Sequence, residues 1–162
     1  MPSHAERRNV AHKPDDLFNL VADIESYPEF LPWCSGVRVR ERKTIGETEV
    51  VIADLLVSYK MFRERFRSRV TINRAARSID VDYVNGPFKH LDNRWRFEPH
   101  PSKEDEETIV DFLVDFEFKS RTLERMVGGL FDRAVRKIVT AFFSRADALY
   151  GEPAHLPLDL PS

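Results

Sequence analysis

The C-terminal part of the chain constrains the fold most, because a strand pattern runs directly into a long helix pattern. From Thr108 to Phe118 every second side chain is apolar, which predicts a strand with one buried face. From Thr122 to Tyr150 apolar residues recur every three or four positions, which predicts one amphipathic helix. At about 1.5 Å per residue this helix would be roughly 40 Å long, so its apolar stripe needs an equally long apolar surface to cover. The aromatic face of a curved sheet is the surface that we expect.

The preceding segments supply such a sheet. Further strand patterns, separated by turn signals, occur at 37–42, 49–57, 62–72, 79–83 and 91–97. Consecutive strands with short turns pair antiparallel, because parallel pairing needs long crossover connections. A short first strand, 5–10, precedes two short helices, of which one begins at Pro14 and the other at a capping-box pattern, Ser26 to Glu29. We therefore predict an α+β helix-grip fold, in which a curved antiparallel sheet of about seven strands wraps around a long C-terminal helix, with two short helices after strand 1.

Composition predicts one domain, 1–151, followed by a proline-rich tail, 152–162, that we expect to be disordered. Lys plus Arg number 25 and Asp plus Glu 27, so the overall charge does not predict DNA as a partner. The single cysteine, Cys34, is typical of a reducing compartment. No apolar run approaches the roughly 18 residues of a membrane span, and the first residues lack a signal-peptide pattern. These features predict a cytoplasmic protein.

Two groups of charges have alternative interpretations. A row of alternating arginines along 62–72 resembles a nucleic-acid-binding surface. The row consists of Arg63, Arg65, Arg67 and Arg69. However, Asp80 and Asp82 alternate at the same period on the next strand, and Arg94 and Arg96 on the strand after it. This favours a ladder of cross-strand ion pairs on a solvated outer face. The solvent side of the C-terminal helix is modestly basic, which suits either a solvated face or contact with lipid or RNA phosphates.

Catalytic and metal-binding patterns are absent from the sequence. The histidines are scattered, and no metalloprotease, serine hydrolase or phosphate-loop motif occurs. Cys34 fits a small buried thiol better than a nucleophile. Glu64 interrupts an inward-facing apolar row, so we expect it at a cavity mouth, paired with an arginine, or inside a hollow. We predict no enzymatic activity, no metal site and no required cofactor.

Several motifs are shared with a known family. They are Tyr-Pro-Glu-Phe-Leu-Pro-Trp-Cys at 27–34, Phe-x-Ser-x-Val at 66–70, Gly-Pro-Phe-Lys-His-Leu at 86–91, Trp-Arg-Phe at 95–97, and Phe-Glu-Phe-Lys-Ser at 116–120. With these motifs, and a helix that carries Phe131 and Ala141–Phe142, the chain resembles the coenzyme Q-binding START-domain family. That family includes the bacterial ribosome association toxin and belongs to the polyketide-cyclase-like superfamily. The likeness covers roughly residues 4–150, whereas Gly128–Gly129 and the proline-rich tail do not fit the pattern.

The resemblance implies a START-like, Bet v 1-like domain that binds ubiquinone, or a similar prenylated lipid, in an apolar cavity. Such a protein would act as a quinone carrier or chaperone that supports respiratory electron transport, with ubiquinone as its bound ligand. It would touch a membrane surface transiently, at the inner face. The alternative is a toxin-like regulator that binds the large ribosomal subunit and blocks subunit association. A cyclase-type enzyme is the second alternative.

The predicted site combines inward strand residues with the helix stripe. The cavity residues are Phe66, Ser68, Trp95, Phe97, Phe112, Phe116, Phe118, Met126, Leu130, Phe131, Val135, Ile138 and Phe142, with Glu64 as a polar addition. The candidate donors to quinone carbonyls are Tyr59, Tyr83, Ser68 and Trp95. We predict a gate of large apolar residues on connecting segments, formed by Tyr27, Phe30, Leu31, Trp33 and Phe88. Such residues mark a binding or membrane surface when they are contiguous and exposed, and belong to the core when they turn inward.

Overall fold

A computed structural model describes residues 3–59, 62–103, 106–128 and 131–151. The side chains at 62, 126–127 and 131 are also outside that description. Three predicted cavity residues, Met126, Leu130 and Phe131, therefore lie outside the described side chains, as does the predicted tail at 152–162.

Strands and helices follow one another in the predicted order. The strands are β1 (Ser3–Val10), β2 (Cys34–Ile45), β3 (Thr48–Tyr59), β4 (Phe62–Asn73), β5 (Ser78–Asn85), β6 (Phe88–Pro99) and β7 (Thr108–Phe118). The helices are α1 (Pro14–Ala22), a 3-10 helix (Ile24–Glu29), α2 (Arg121–Gly128) and α3 (Phe131–Tyr150). The predicted single C-terminal helix is thus described as two helices, with 129–130 outside the described residues.

The strands form one seven-stranded sheet in the order β1-β7-β6-β5-β4-β3-β2. Every neighbouring pair is antiparallel, so β2 to β7 form a meander and β1 closes against β7. The bounds of β7 agree with the alternation in the sequence, Thr108–Phe118. These observations confirm the predicted helix-grip fold.

The predicted capping box at Ser26 is wrong. The 3-10 helix begins at Ile24, so Ser26 lies inside it. The Ser26 hydroxyl donates to Oδ2 of Asp23 at 2.6 Å and does not cap a backbone N–H group. By contrast, the Ser120 hydroxyl accepts a hydrogen bond from the Leu123 N–H at 3.2 Å, which stabilises the start of α2.

The core lies between the concave face of the sheet and the helices α1 and α3. Its buried members include Leu17 and Phe18 from α1, Val51, Val70, Ile79, Phe97 and Val110 from the sheet, and Val139 and Ala146 from α3. The Phe18 ring packs edge-on against Phe97, with ring centroids 6.0 Å apart. No helix in the described ranges is long and apolar enough to cross a membrane.

The outer charges pair only in part as predicted. Between β5 and β6, Arg94 contacts Asp82 at 2.9 Å and Arg96 contacts Asp80 at 2.6 Å, which confirms that part of the ladder. On β4 the prediction is wrong, because Arg67 pairs with Asp54 of β3 at 2.8 Å. Within the described part of the chain, no carboxylate pairs with the three other β4 arginines, Arg63, Arg65 and Arg69.

Candidate ligand-binding site

The helices cover the concave face of the sheet unevenly. Along β7 the inward side chains are buried from Thr108 to Phe112 and only half-buried from Val114 to Phe118. Along β4 the inward side chains change in the same way, from buried Ser68 to half-buried Phe66 and exposed Glu64. We call the region 64–66, 83–85, 88–91 and 116–118 the open end of the sheet, because its side chains are half-buried or exposed except for the buried Phe88.

Phe88 is the centre of an aromatic cluster at the open end. Its ring centroid lies 4.9 Å from that of Phe118, 5.3 Å from Phe66, 5.5 Å from Phe116 and 5.6 Å from Tyr83. Most of these ring pairs meet edge to face, which is a favourable aromatic geometry. We call these residues the open-end cluster. It brings the predicted cavity residues Phe66, Phe116 and Phe118 together with Phe88, which was predicted as part of the gate.

The other predicted cavity residues pack against one another deeper in the fold. Trp95 is 3% exposed, and its ring lies 4.6 Å from that of Phe112 and 5.0 Å from that of Phe142. Phe97 stacks on Trp95, with centroids 5.9 Å apart. Val135 belongs to the same core, and half-buried Ile138 packs against it. These side chains fill the deep end of the fold, so a ligand in this conformation would meet the open-end cluster first.

The candidate hydrogen-bond donors to a ligand differ in whether their protons are already used within the protein. Ser68 is fully buried, and its hydroxyl has no hydrogen-bond partner in the described structure. Tyr83 is its cross-strand neighbour, and the Tyr83 oxygen accepts a hydrogen bond from the Phe88 N–H at 3.0 Å. The Tyr83 hydroxyl proton is therefore still free to be donated. Trp95, in contrast, donates its only N–H to Oδ1 of Asn93 at 3.1 Å.

Asn93 is an inward-facing polar residue that the sequence analysis did not select. Its side-chain amide donates to the Leu113 carbonyl at 2.8 Å and accepts from Trp95. Its position in the inward row of β6, between Leu91 and Trp95, is a signal that could have found it.

Glu64 and Cys34 have limited roles in this geometry. Glu64 is exposed, which excludes a closed hollow around it and agrees with a position at the mouth of the open end.

Cys34 is half-buried, and this burial raises the pKa of its thiol, although a hydrogen bond to the Gly36 carbonyl opposes the shift. A raised pKa disfavours the thiolate that a cysteine nucleophile requires.

The predicted gate residues lie in three places. Tyr27, Phe30 and Leu31 pack against the core, as connecting-segment residues do when they turn inward. The Tyr27 hydroxyl donates to the Val21 carbonyl, and burial raises the pKa of that hydroxyl. Trp33 packs edge-on against Tyr59, with centroids 5.8 Å apart. Phe88 belongs to the open-end cluster instead, where its ring contacts those of Phe66 and Phe118.

Two grooves lie on the outer surface of the fold. One, of about 510 Å³, is lined by Pro32 and the outer side of α3, with Arg133, Arg136, Lys137, Thr140 and Ala141. The other, of about 540 Å³, lies at the outer face of the sheet beside Arg7, Arg94 and Arg96. Among the described residues, no group of three or more His, Cys, Asp and Glu side chains is placed to hold a metal ion.

Comparison with known proteins places this architecture in a family. Residues 10–143 match the family model described as polyketide cyclase / dehydrase and lipid transport. The chain is 35% identical over 150 residues to the ribosome association toxin RatA of Rickettsia prowazekii, which covers 90% of this chain and 97% of that protein. It is 30% identical over 148 residues to the coenzyme Q-binding protein COQ10 homolog B, mitochondrial, of Xenopus laevis, covering 91% of this chain and 59% of that protein.

Solved structures agree with this placement. The solution structure of an 18 kDa protein of Caulobacter crescentus is similar, with a TM-score of 0.76 and 39% sequence identity. The match covers 94% of this chain and 100% of that chain. The crystal structure of the Zhui aromatase/cyclase of Streptomyces shares the fold, with a TM-score of 0.71, 19% identity, and coverage of 90% of this chain and 93% of that one. The resemblance inferred from the motifs is confirmed, and the chain belongs to the polyketide cyclase / dehydrase and lipid transport family.

Proposed function

We propose that this protein is a non-enzymatic carrier that binds ubiquinone, or a similar prenylated lipid, at the open end of the sheet. The observation that carries the proposal is the open-end cluster, in which inward-facing aromatic side chains of β4 and β7 are only half-buried around the buried ring of Phe88. An apolar ligand that entered there would complete the cover of these rings. The Xenopus laevis relative is named as a coenzyme Q-binding protein, which supports the same ligand class.

The energetics of such a site suit transfer of the ligand rather than storage. Each buried methylene of a prenyl tail contributes about 0.8 kcal/mol relative to water. A bilayer gives the tail nearly the same contribution, so exchange between membrane and protein is close to balanced. The bound tail therefore gains little net free energy, and the polar head group decides how strongly the protein retains the ligand.

Two neighbouring hydroxyl groups are suited to a carbonyl acceptor on the head group. Ser68 and Tyr83 are cross-strand partners on the inward face, and both hydroxyl protons are available. Ser68 is fully buried in this conformation, so a ligand reaches it only when the open-end cluster separates. A buried hydroxyl without a partner is unfavourable by about 1–3 kcal/mol, and a ligand carbonyl would remove that penalty.

Binding from neutral detergent micelles tests the proposal. Phe116→Asp places a carboxylate in the open-end cluster, and we expect it to weaken ubiquinone binding at least about tenfold, because an unpaired charge in an apolar site is strongly unfavourable. Leu56→Asp is the matched control, because Leu56 is 42% exposed on the outer face of the sheet. Equal ubiquinone affinities for the two variants and the parent would place the ligand elsewhere.

Ribosome association is a second candidate with its own supporting observation. Arg63, Arg65 and Arg69 are exposed on the outer face of β4, and no described carboxylate pairs with them. Exposed, unpaired arginines in a row suit contact with RNA phosphates. Relatives such as the Rickettsia prowazekii protein are named ribosome association toxins. Co-sedimentation with large ribosomal subunits tests this candidate, and it fails if replacement of the three arginines by glutamine leaves co-sedimentation unchanged.

A further inference from the structure

The groove between Pro32 and the outer side of α3 has a distinct chemical character. Arg133, Arg136 and Lys137 line it at helical spacing, and all three are exposed. Thr140, Ala141 and Pro32 complete the lining and carry no charge. Because long basic side chains lay their apolar stems along a surface while the charged ends reach outward, the groove combines an apolar floor with a cationic rim.

The three basic side chains of this groove form no ion pair with the described residues. Among the described residues, no carboxylate pairs with Arg133 or Lys137. Arg136 reaches only the backbone carbonyl of Asp132, at 3.4 Å. About two turns beyond Lys137 on the same helix, Arg145 behaves differently and pairs with Glu29 at 2.6 Å. We call Arg133, Arg136 and Lys137 the α3 triad.

The groove adjoins the predicted gate. Pro32 follows Leu31 directly, and Phe30 contacts Phe142 of α3 with ring centroids 5.4 Å apart. The gate segment and the α3 triad therefore share one face of the molecule. The unpaired β4 arginines lie on the opposite, convex side of the sheet, because their positions alternate with inward Phe66, Ser68 and Val70.

We propose that the α3 triad docks the protein on an anionic lipid bilayer, with the Pro32 groove and the adjoining gate segment facing the membrane. The inference rests on the proposed function, since it supplies the orientation in which a membrane lipid would be exchanged. The chain as a whole has a net charge of -2 and is not attracted to an anionic surface, so a local basic face has to orient it. RNA is the less suitable partner for this face, because Tyr27 and Phe30 pack inward against Phe142 and do not present stacking platforms.

Vesicle flotation with two matched triple variants tests the docking face. The first variant is Arg133→Gln with Arg136→Gln and Lys137→Gln, and the second is Arg63→Gln with Arg65→Gln and Arg69→Gln. Both remove three exposed positive charges, so the net charge of the two proteins is equal. The vesicles consist of phosphatidylcholine alone or of phosphatidylcholine with phosphatidylglycerol, at low salt.

The proposal predicts that the parent floats with vesicles that contain phosphatidylglycerol and not with phosphatidylcholine alone. Each basic residue near an anionic surface contributes about fivefold to binding, so the α3 variant should bind roughly 100-fold more weakly. The β4 variant should keep the parental affinity within about threefold. Equal losses in both variants, an unaffected α3 variant, or loss of RNA binding rather than vesicle binding in the α3 variant would each overturn the proposal.

Ubiquinone uptake from neutral detergent micelles separates this test from that of the proposed function. The α3 variant should take up ubiquinone from neutral micelles as the parent does, since the α3 triad lies outside the open-end cluster. Failure of the parent in that assay contradicts the proposed function, whereas vesicle flotation still decides the docking face.

Discussion

The Phe30 ring meets the Phe142 ring edge to face, with centroids 5.4 Å apart and an interplanar angle of 77°. This contact joins the segment after the 3-10 helix to α3. The guanidinium of Arg145 lies 5.3 Å from the centroid of the same Phe30 ring and pairs with Glu29 at 2.6 Å. The predicted gate segment is therefore held to α3 by the contacts of Tyr27 and Phe30 with Phe142, by the contact of Arg145 with the Phe30 ring, and by one ion pair.

Release of that ion pair should speed up exchange of a bound lipid. Glu29→Gln removes the charge that holds Arg145, and an exposed pair of this kind contributes about 0.2–1 kcal/mol. We expect ubiquinone transfer from protein to vesicles to become two- to fivefold faster in stopped-flow measurements. Glu25→Gln is the control, because Glu25 belongs to the same 3-10 helix and pairs with Arg42 of the sheet. Equal transfer rates for the parent and Glu29→Gln would show that this segment does not gate entry.

Ser68 and Thr108 form a matched pair of buried hydroxyl groups. Both are fully buried, but the Thr108 hydroxyl donates to the His12 carbonyl at 2.7 Å, whereas the Ser68 hydroxyl has no partner in the described structure. Thr108→Val should destabilise the protein by about 1–3 kcal/mol, because the His12 carbonyl loses its donor. Ser68→Ala should leave the free energy of unfolding unchanged or raise it, and should weaken ubiquinone binding. Urea denaturation and binding titrations measure the two effects, and a large loss of stability in Ser68→Ala would contradict the assignment.

Gly86 lies directly against Phe66, so a larger residue at 86 would displace the Phe66 side chain. Its φ is +148°, and a Cβ atom there would lie 2.5 Å from Cβ and 2.9 Å from Cα of Phe66. Gly86→Ala should therefore displace Phe66, reduce the free energy of unfolding by more than about 2 kcal/mol and weaken ligand binding. Gly46→Ala is the control, since φ there is +62° but nothing lies within 4 Å of the added atom, so we expect about 1 kcal/mol from backbone strain alone. Unaltered ligand binding in Gly86→Ala would argue against Phe66 as part of the site.

The lowered pKa of Asp54 makes the stability of the protein depend on pH. Its side chain is 3% exposed, and hydrogen bonds from Arg67 and Arg40 lower its pKa from 3.8 to about 2, although burial opposes the shift. Because the folded pKa lies below the unfolded value, this stabilisation is present above pH 3.8 and is lost as the pH falls toward about 2. We expect Asp54→Asn to lower Tm at pH 7 and to flatten the dependence of Tm on pH in that window. A parallel pH profile for parent and variant would show that Asp54 does not contribute in this way.

The seven-strand fold could be predicted from the sequence because its strands alternate clearly and their turns are marked. The alternation in β7, for example, fixes both its bounds and its inward face. The pairing of the outer charges could not be predicted, because each outward charge has neighbours on two strands. Arg69 lies opposite Asp82 in the register of β4 and β5, but Asp82 pairs with Arg94 of β6, and Arg67 pairs with Asp54 of β3. No local pattern in the sequence shows which neighbouring strand supplies the partner.

For the candidate site, the sequence predicted which aromatic residues face inward but not how they are arranged. Periodicity identified the inward aromatic residues but did not separate those that fill the core, such as Trp95 and Phe112, from those of the open-end cluster. That separation depends on where α1 and α3 cover the sheet, which is a property of tertiary packing. The unpartnered hydroxyl of Ser68 is also visible only in three dimensions, because any inward serine has the same sequence signature.

Mass spectrometry of an organic extract tests the central claim most directly. The protein is purified without detergent from cells that make ubiquinone, extracted with organic solvent, and compared with the Phe116→Asp and Leu56→Asp variants prepared in the same way. The account predicts ubiquinone, or a related prenylated lipid, in extracts of the parent and of Leu56→Asp, and its loss from Phe116→Asp. An extract of the parent that contains no prenylated lipid above the level found with Phe116→Asp would contradict the account.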